Sequence, residues 1–297
     1  PARRYARVLW NHGSGIYDLF PSKGGGTRGG LSGSQAVAID WTDGDDALTT
    51  KEYAMALQAA APATGKRIDL LHFDACDMAM VEVAAEIAVG LPVDYLVGSE
   101  AKVPGDGLDY RAVLSWLCDH PWAGGAELAS FLVENYAETY ASSWPEGVIG
   151  CVIHLTGEKW PLFLATVARL TAALSSTTDD GLWTAVQEAA QEAYYSDYYY
   201  PENRDLLDFV RLLREKTAGS FPAIAQTAAE IQDLLRPGGG LVVRTAATGP
   251  LAARDLGGLA VFLPTFSGWS AKYPDYSQLA FAVTTRWEGL VTRLASP

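Results

Sequence analysis

Apolar runs of strand length alternate with longer helical patterns along most of the chain, and this alternation restricts the possible folds. Strands are predicted at 5–10, 36–40, 68–73, 95–98, 148–155, 241–245 and 258–263. Helices are predicted at 50–61, from residue 78 onward, and at 126–142, 161–174, 182–195, 206–216, 222–235 and 277–294. Strands alternating with helices predict a mainly parallel sheet that is covered by helices on both faces.

Composition narrows the class of protein. With 297 residues, 49% of them hydrophobic, the chain can bury a large core, and no apolar run is long enough to span a membrane. The net charge of −13 argues against nucleic acid as a partner, because phosphate binding needs clustered Lys and Arg. An acidic surface attracts cationic ligands or basic peptides, although on its own the charge is better explained by solubility.

The three cysteines, Cys76, Cys118 and Cys151, cannot all pair within one chain, and their spacing fits no zinc motif. Residues 1–7 contain no signal peptide and are typical of the interior of a longer protein. Few cysteines and no visible export signal together favour a cytoplasmic over a secreted protein.

Two residues that can take part in nucleophilic catalysis each follow a predicted strand. Cys76 follows the strand at 68–73 and precedes a predicted helix, whose amino terminus would favour the thiolate. His12 follows the strand at 5–10, and neighbouring parallel strands would bring both side chains to one sheet edge. The backbone N–H groups of Gly13 and Cys76 could then form an oxyanion hole. The alternatives are a buried structural cysteine and a plain Asn-His-Gly turn.

The other cysteines and histidines offer less. We expect Cys118 and Cys151 to have structural and not catalytic roles. His72 lies inside a predicted strand, where we expect it to be packed in the core. His120 and His154 have no catalytic companion nearby in the sequence.

Several motifs resemble those of the clostripain-like cysteine peptidases. The histidine motif is V-L-W-N-H-G-S-G at 8–15, and the cysteine motif is I-D-L-L-H-F-D-A-C-D-M-A-M-V-E-V-A at 68–84. The similarity continues, in the same order, through 38–57, 97–100, 104–107, 205–209 and 257–264. The resemblance implies a caspase-like α/β/α sandwich, with a catalytic core at 1–157 and C-terminal helices and strands at 158–297 that complete the same sheet.

The resemblance also implies roles for single residues. Cys76 would be the nucleophile and His12 the general acid of a dyad without an obligatory third member, with Gly13 in the oxyanion hole. Asp74 would lie in the pocket for the residue before the cut, which implies cleavage after Arg or Lys. Asp106 is a second candidate for that pocket. The alternative for Asp74 is a cap on the helix predicted from residue 78.

Two departures from the family pattern lie beside the motifs. Ile16 stands where an aromatic residue often follows the glycine, and Asp77 replaces a common apolar residue after the cysteine. The carboxylate of Asp77 would raise the pKa of Cys76 if it points inward. Neither departure removes a catalytic residue.

The segment 21–34 is rich in Gly and Ser and contains Lys23 and Arg28, so we expect it to be mobile and exposed. A protease that cuts after basic residues could process itself there. The acidic turn at 43–46 could bind calcium, but it lacks the pattern of a dedicated calcium loop, and we assign no metal.

Two rival functions remain open. One is a catalytically silent caspase-like module that binds basic peptide segments, and the other is a small-molecule acyl hydrolase with the same dyad. A peptidase would act on proteins or peptides with a basic residue before the cut, and a regulatory protein partner is possible. No cofactor is required by the predicted chemistry.

Overall fold

The computed structural model describes residues 3–16, 37–40, 46–48, 50–64, 67–90, 93–195, 197, 198, 200–237, 240–265, 269 and 276–296. Lys23 and Arg28 lie outside these residues, as do 43–45 of the acidic turn. Within the part of the chain that the structure describes, no helix is long and apolar enough to cross a membrane.

The strands follow the predicted order with small shifts at their ends. They are β1 (Ala6–Trp10), β2 (Val37–Asp40), β3 (Asp46–Leu48), β4 (Ile68–Asp74), β5 (Val93–Gly98), β6 (Ile149–His154), β7 (Asn203–Asp205), β8 (Val242–Ala247) and β9 (Ala260–Phe262). Five of them form the central sheet in the order β1-β4-β5-β6-β8. Only β6 is antiparallel to its neighbours there, so the prediction of a mainly parallel sheet is confirmed.

The remaining described strands form two small antiparallel pairs, β2 with β3 and β7 with β9. The strand predicted at 36–40 therefore pairs within a hairpin and not within the central sheet. The short strands β3 and β7 had no counterpart in the sequence prediction.

Helices cover both faces of the central sheet. They are α1 (Thr50–Thr64), α2 (Val81–Gly90), α3 (Tyr110–Asp119), α4 (Gly125–Tyr140), α5 (Lys159–Ser176), α6 (Asp180–Glu192), α7 (Leu206–Thr217), α8 (Pro222–Leu235), α9 (Gly249–Ala252), α10 (Ala280–Thr285) and α11 (Trp287–Leu294). The helix predicted at 277–294 is interrupted at Arg286, whose φ of 60° is left-handed.

Alternate side chains along β4 enter opposite sides of the sheet, as the pleat of a strand requires. Leu70 joins the core beneath α3 and α4, together with Leu132 and Val133 of α4. Leu71 and Phe73 join the larger core on the other face, which is formed mainly by α1, α2, α5 and the C-terminal helices. The molecule is thus a three-layer α/β/α sandwich, as the sequence predicts.

Candidate active site

Two neighbouring strands of the central sheet place the two predicted reactive residues at one of its edges. β1 and β4 are neighbours and run parallel, and Trp10 pairs with Asp74 at their carboxyl ends. His12 and Cys76 each follow two residues after that pair, so their segments leave the sheet side by side. The His12 side chain is exposed there, and its backbone N–H donates to Oδ1 of Asn11 at 2.6 Å.

Gly13 brings the two segments into direct contact. A Cβ atom at this position would overlap the carbonyl oxygen of Cys76 and lie 2.9 Å from Cβ of Ala75 and Cγ of Met78. The backbone of the histidine segment therefore lies against the backbone of the cysteine segment, which only glycine permits at this distance. This contact joins the segment that carries His12 to the segment that carries Cys76.

The segment after β5 holds the Cys76 loop from the other side. The N–H of Val103 donates to Sγ of Cys76 at 3.2 Å. The N–H groups of Asp77 and Ala79 donate to the carbonyls of Ala101 and Ser99 at 3.2 and 2.9 Å. The thiol is thus half-buried between two loops from neighbouring strands.

The surroundings of Cys76 stabilise the neutral thiol. Burial raises its pKa to about 11, and the carboxylates of Asp77 and Asp197 act in the same direction, whereas the Val103 N–H and Lys102 act against them. The helix that was predicted from Met78 begins only at Val81. The prediction that a helix amino terminus lies directly at the cysteine is therefore wrong, because residues 77–80 form an irregular connection.

Asp77 adopts an unusual conformation immediately after the nucleophile. Its φ of 58° is left-handed, a region that Asp and Asn tolerate better than most residues. Its side chain is 2% exposed, so the residue points inward, and its effect on the pKa of Cys76 has the predicted direction.

Asp74 is buried beneath the loop that follows β5. Its Oδ2 accepts hydrogen bonds from the Leu108 N–H at 3.0 Å and from the Tyr110 hydroxyl at 2.8 Å. Gly107, with a φ of 64°, packs so closely that a Cβ there would overlap Oδ2. The alternative of a helix cap is wrong, because α2 begins seven residues later and the carboxylate is bonded elsewhere.

Little room remains beside the Asp74 carboxylate. The adjoining cavity, which Val103 and Tyr136 help to line, has a volume of about 10 Å³, enough for about one water molecule. Asp106 lies on the surface of the covering loop, which is closed by a hydrogen bond from the Gly107 N–H to the Pro104 carbonyl at 2.8 Å. A guanidinium or ammonium group thus reaches Asp74 only if this loop moves.

Three of the motifs noted in the sequence, at 97–100, 205–209 and 257–264, meet behind the cysteine. Oδ2 of Asp205 accepts the N–H groups of Gly257 and Gly258 at 2.8 and 3.0 Å, and its carboxyl is hydrogen-bonded to that of Glu100. Burial, together with the charge of Asp205, holds the pKa of Glu100 well above its usual range. The raised pKa favours a protonated Glu100, and the Asp205 carboxylate links the start of α7 to the turn before β9.

Of the remaining candidates, His72 and Cys151 are buried, whereas Cys118 is exposed. His72 is 6% exposed, which confirms a packed core histidine, and burial lowers its pKa to about 4 against the opposing charge of Asp74. Cys151 is buried within β6 and Cys118 is exposed on α3, and both are free thiols.

Sequence reasoning missed the residues that close the site. Val103, Leu108 and Tyr110 contact the thiol or Asp74, yet they lie about 30 positions further along the chain. The only signal was the glycine-flanked turn at 104–107.

Among the described residues, no group of three His, Cys, Asp or Glu side chains is placed to hold a metal ion, and calcium dependence stays a prediction.

Comparisons with known proteins agree with this geometry. A search of curated proteins found no match. Among solved structures, the chain is similar to a secreted C11 cysteine protease from Bacteroides thetaiotaomicron in complex with an irreversible peptide inhibitor, with a TM-score of 0.66 and 19% identity over 97% of this chain and 73% of that chain. It is also similar to an inactive zymogen C11 protease from Parabacteroides distasonis, with a TM-score of 0.61 and 17% identity over 96% of this chain and 71% of that chain.

A B. fragilis cysteine protease has the same TM-score of 0.61, with 19% identity over 84% of this chain and 98% of that chain. These similarities show the caspase-like fold. The sequence profile of the clostripain family matches residues 1–293, which is nearly the whole chain. The chain therefore belongs to the clostripain family of cysteine proteases, enzymes that hydrolyse peptide bonds.

Proposed function

We propose that this protease is an endopeptidase that cleaves after Arg or Lys, with Cys76 as nucleophile and His12 as its catalytic partner. The observation that supports the dyad is the pairing of Trp10 with Asp74 in neighbouring parallel strands, which sends both reactive residues to one edge. The contact between Gly13 and the Cys76 backbone supports it further.

In the proposed reaction, the thiol proton of Cys76 passes to His12 as the sulfur attacks the scissile carbonyl carbon, and the carbonyl oxygen takes up the negative charge. The N–H groups of Gly13 and Cys76 would stabilise that oxyanion. The C–N bond then breaks as His12 protonates the leaving amine, which leaves a thioester on Cys76. Water hydrolyses the thioester and restores the thiol.

The proposed specificity depends on Asp74. Its carboxylate is buried two residues before the nucleophile, and a substrate guanidinium can bond a carboxylate bidentately. The Tyr110 hydroxyl and the Leu108 N–H now occupy Oδ2, so substrate binding requires displacement of the loop at 104–110. Asp106 would then add a second negative charge at the rim of the pocket.

The closed pocket and the neutral thiol suggest a latent form. A thiol with a pKa of about 11 is almost fully protonated at neutral pH, which disfavours attack until the site rearranges. One similar structure is of an inactive zymogen. We therefore propose autoprocessing after Lys23 or Arg28, between the histidine and cysteine motifs.

Fluorogenic peptides that end in Arg, Lys, Asp or Ala test the specificity, with Cys76→Ala as the matched control and with calcium present or absent. We expect cleavage after Arg and Lys that is lost in the variant. Cleavage confined to Asp or Ala peptides would contradict the role of Asp74. If no peptide is cleaved and no thiol-directed probe labels Cys76, the silent-module alternative gains support.

Intact mass and amino-terminal sequencing of the purified protein test autoprocessing. We expect new amino termini after residue 23 or 28 in the wild type, and an uncut chain in Cys76→Ala. A fully active wild type that stays uncut would contradict any need for processing.

Location and regulation are less constrained. One similar structure comes from a secreted protease, so the comparisons give no support to the predicted cytoplasmic location. As a protease, the protein acts on protein or peptide substrates. A regulatory partner stays a prediction.

A further inference from the structure

The side chain of Trp10 lies beside the carboxylate of Asp74. The two residues are paired in register at the carboxyl ends of β1 and β4. Paired residues of neighbouring strands point to the same face of a sheet, because the pleats of the two strands are aligned. Trp10 therefore projects to the face on which Asp74 lies, at the end of the sheet that carries Cys76.

Gly107 fills the space between the indole and the carboxylate. A Cβ atom at Gly107 would lie 2.9 Å from Nε1 of Trp10 and would overlap Oδ2 of Asp74. Both groups therefore border the same small volume, which the backbone of the loop at 104–110 now occupies. A substrate side chain that takes the place of this loop comes to lie between Trp10 and Asp74.

Trp10 belongs to a more rigid element than the groups that now bond Asp74. The Leu108 N–H and the Tyr110 hydroxyl, which donate to Oδ2, lie on the loop that must move. By contrast, all five residues of β1, from Ala6 to Trp10, are paired with β4 in the central sheet. The indole therefore stays beside the carboxylate when the loop moves, and it forms one wall of the opened pocket.

The ring of Trp10 has a free face for a substrate side chain. It is 61% exposed, and within the described part of the chain no other ring or cation lies on it. A planar guanidinium can stack on an aromatic ring while it donates two hydrogen bonds to a carboxylate. The ammonium of Lys is a compact and strongly hydrated charge, so it gains less from the ring.

The charges around the pocket also favour a cation. Asp74 is buried, and the two groups that donate to it, an N–H and a hydroxyl, are neutral. On the covering loop and the first turn of α3, Asp106 and Asp109 are negative and Arg111 is positive. The charge of the pocket and its rim is therefore negative even when Arg111 is included.

We propose that Trp10 is a specificity-determining residue of the basic pocket, whose ring stacks on the side chain of the residue before the cut and makes the enzyme favour Arg over Lys. This inference rests on the proposed cleavage after basic residues. It adds an aromatic wall to the carboxylate of Asp74, and it assigns the choice between the two basic residues to the end of β1.

The test uses two fluorogenic peptides that differ only in having Arg or Lys before the cut. The quantity measured is the ratio of kcat/KM for the Arg peptide to that for the Lys peptide. We expect a ratio of about tenfold in the wild type, a size typical of a cation stacked on an indole ring. Trp10→Leu should reduce the ratio to below about twofold, mainly by slowing the Arg peptide, whereas Trp10→Phe, which keeps a ring, should retain about fivefold.

Trp122→Leu is the matched control, because Trp122 is also exposed, at 74%, but lies beside Arg3 and Arg4 near the amino end of β1. We expect it to keep the wild-type ratio. A wild-type ratio near one, or a ratio that survives in Trp10→Leu, would overturn the proposal. Equal losses for both peptides in Trp10→Leu would also overturn it, since they would assign Trp10 to the support of the neighbouring His12 segment.

The same measurements separate this inference from the function on which it rests. If the wild type cleaves neither peptide, the proposed cleavage after basic residues fails, and the role of Trp10 fails with it. If both peptides are cleaved and Trp10→Leu leaves their ratio unchanged, only the role of Trp10 fails.

Discussion

Trp10 and Asp74 lie opposite one another at the carboxyl ends of two neighbouring parallel strands. Because the strands run parallel, the residues that follow each partner leave the sheet at the same edge, and those residues include His12 and Cys76. Asp74 and Cys76 contact different parts of the segment after β5. Asp74 lies beneath the loop at 104–110, whereas Cys76 faces the segment at 99–103.

Gly13→Ala should remove most of the activity. The added methyl group would overlap the Cys76 carbonyl and crowd Ala75, so the two loops must separate, at a cost of about 1–3 kcal/mol in the free energy of unfolding. We expect kcat/KM to fall on the order of a hundredfold as the oxyanion hole is displaced. Peptide hydrolysis and urea unfolding measure the two effects.

Gly219→Ala, between α7 and α8, is the control for this substitution. A Cβ at Gly219 meets no atom within 4 Å, so activity and stability should stay close to the wild type. Equal losses in the two variants would contradict the importance of the contact between the loops.

The alkylation of Cys76 should depend steeply on pH. In a Cys118→Ser background, the rate with iodoacetamide should rise about tenfold per pH unit between pH 7 and 10, because only the thiolate reacts and its pKa is about 11. Cys118 is replaced because it is exposed, whereas Cys151 is buried. A rate that is independent of pH over this range would show that the thiolate is already formed.

Asp77→Asn should shift that pH profile to lower pH. The Asp77 charge raises the pKa of Cys76, so its removal lowers the pKa and speeds alkylation at pH 7. Asn is chosen because it tolerates the left-handed φ of 58°. Asp119→Asn, on α3, is the control that should leave the profile unchanged. A shift to higher pH in Asp77→Asn would contradict this account.

Tyr110→Phe should make the basic pocket easier to open. The substitution removes the hydroxyl that donates to Asp74 at 2.8 Å and leaves the Leu108 hydrogen bond. Because a hydrogen bond to a charged group is worth about 1.5–3 kcal/mol, we expect kcat/KM for Arg and Lys peptides to rise roughly tenfold.

Tyr140→Phe provides the comparison, because its hydroxyl donates to the Gly107 carbonyl at 2.6 Å and not to Asp74. An equal rise in both variants would assign the effect to loop mobility and not to the carboxylate.

Asp74→Asn should lower kcat/KM for the same peptides at least about a hundredfold, which corresponds to the loss of a buried charge pair.

Glu82 should make the protein less stable as the pH rises. It is fully buried on α2, its Oε1 accepts the Phe262 N–H at 3.0 Å and the Tyr276 hydroxyl at 2.9 Å, and burial raises its pKa from 4.5 to about 7. The folded state therefore binds more protons than the unfolded state between these values. The contribution of Glu82 to the free energy of unfolding is fully present below pH 4.5. Roughly 3 kcal/mol of it is lost as the pH rises through 7.

Urea unfolding of Glu82→Gln between pH 4.5 and 8 measures this contribution, and we expect the variant to lose that part of the pH slope. Glu86→Gln is the control, since Glu86 lies one turn later and bonds the Ala280 N–H at 2.6 Å. A wild type and a Glu82→Gln variant with the same slope would show that Glu82 does not ionise in this range.

The elements that the sequence predicted well are those with a clear apolar period. The strand at 68–73 and the helix at 222–235 were placed within one residue of β4 and α8. By contrast, β7 consists of Asn203, Arg204 and Asp205, which carry no strand pattern and pair only because β9 lies beside them. Helix α3 was missed, although Asp109 caps it by accepting the Ala112 N–H.

The sequence alone determined the order of the elements, the family motifs and the position of Cys76 and His12 at strand ends, because these depend on local patterns of a few residues. Only the tertiary structure decided that β1 lies beside β4, that Val103 reaches the thiol and that Tyr110 covers Asp74. Those contacts join residues that are distant in the chain. The ionisation of Cys76 depends on burial among them, so it follows from packing and not from sequence position.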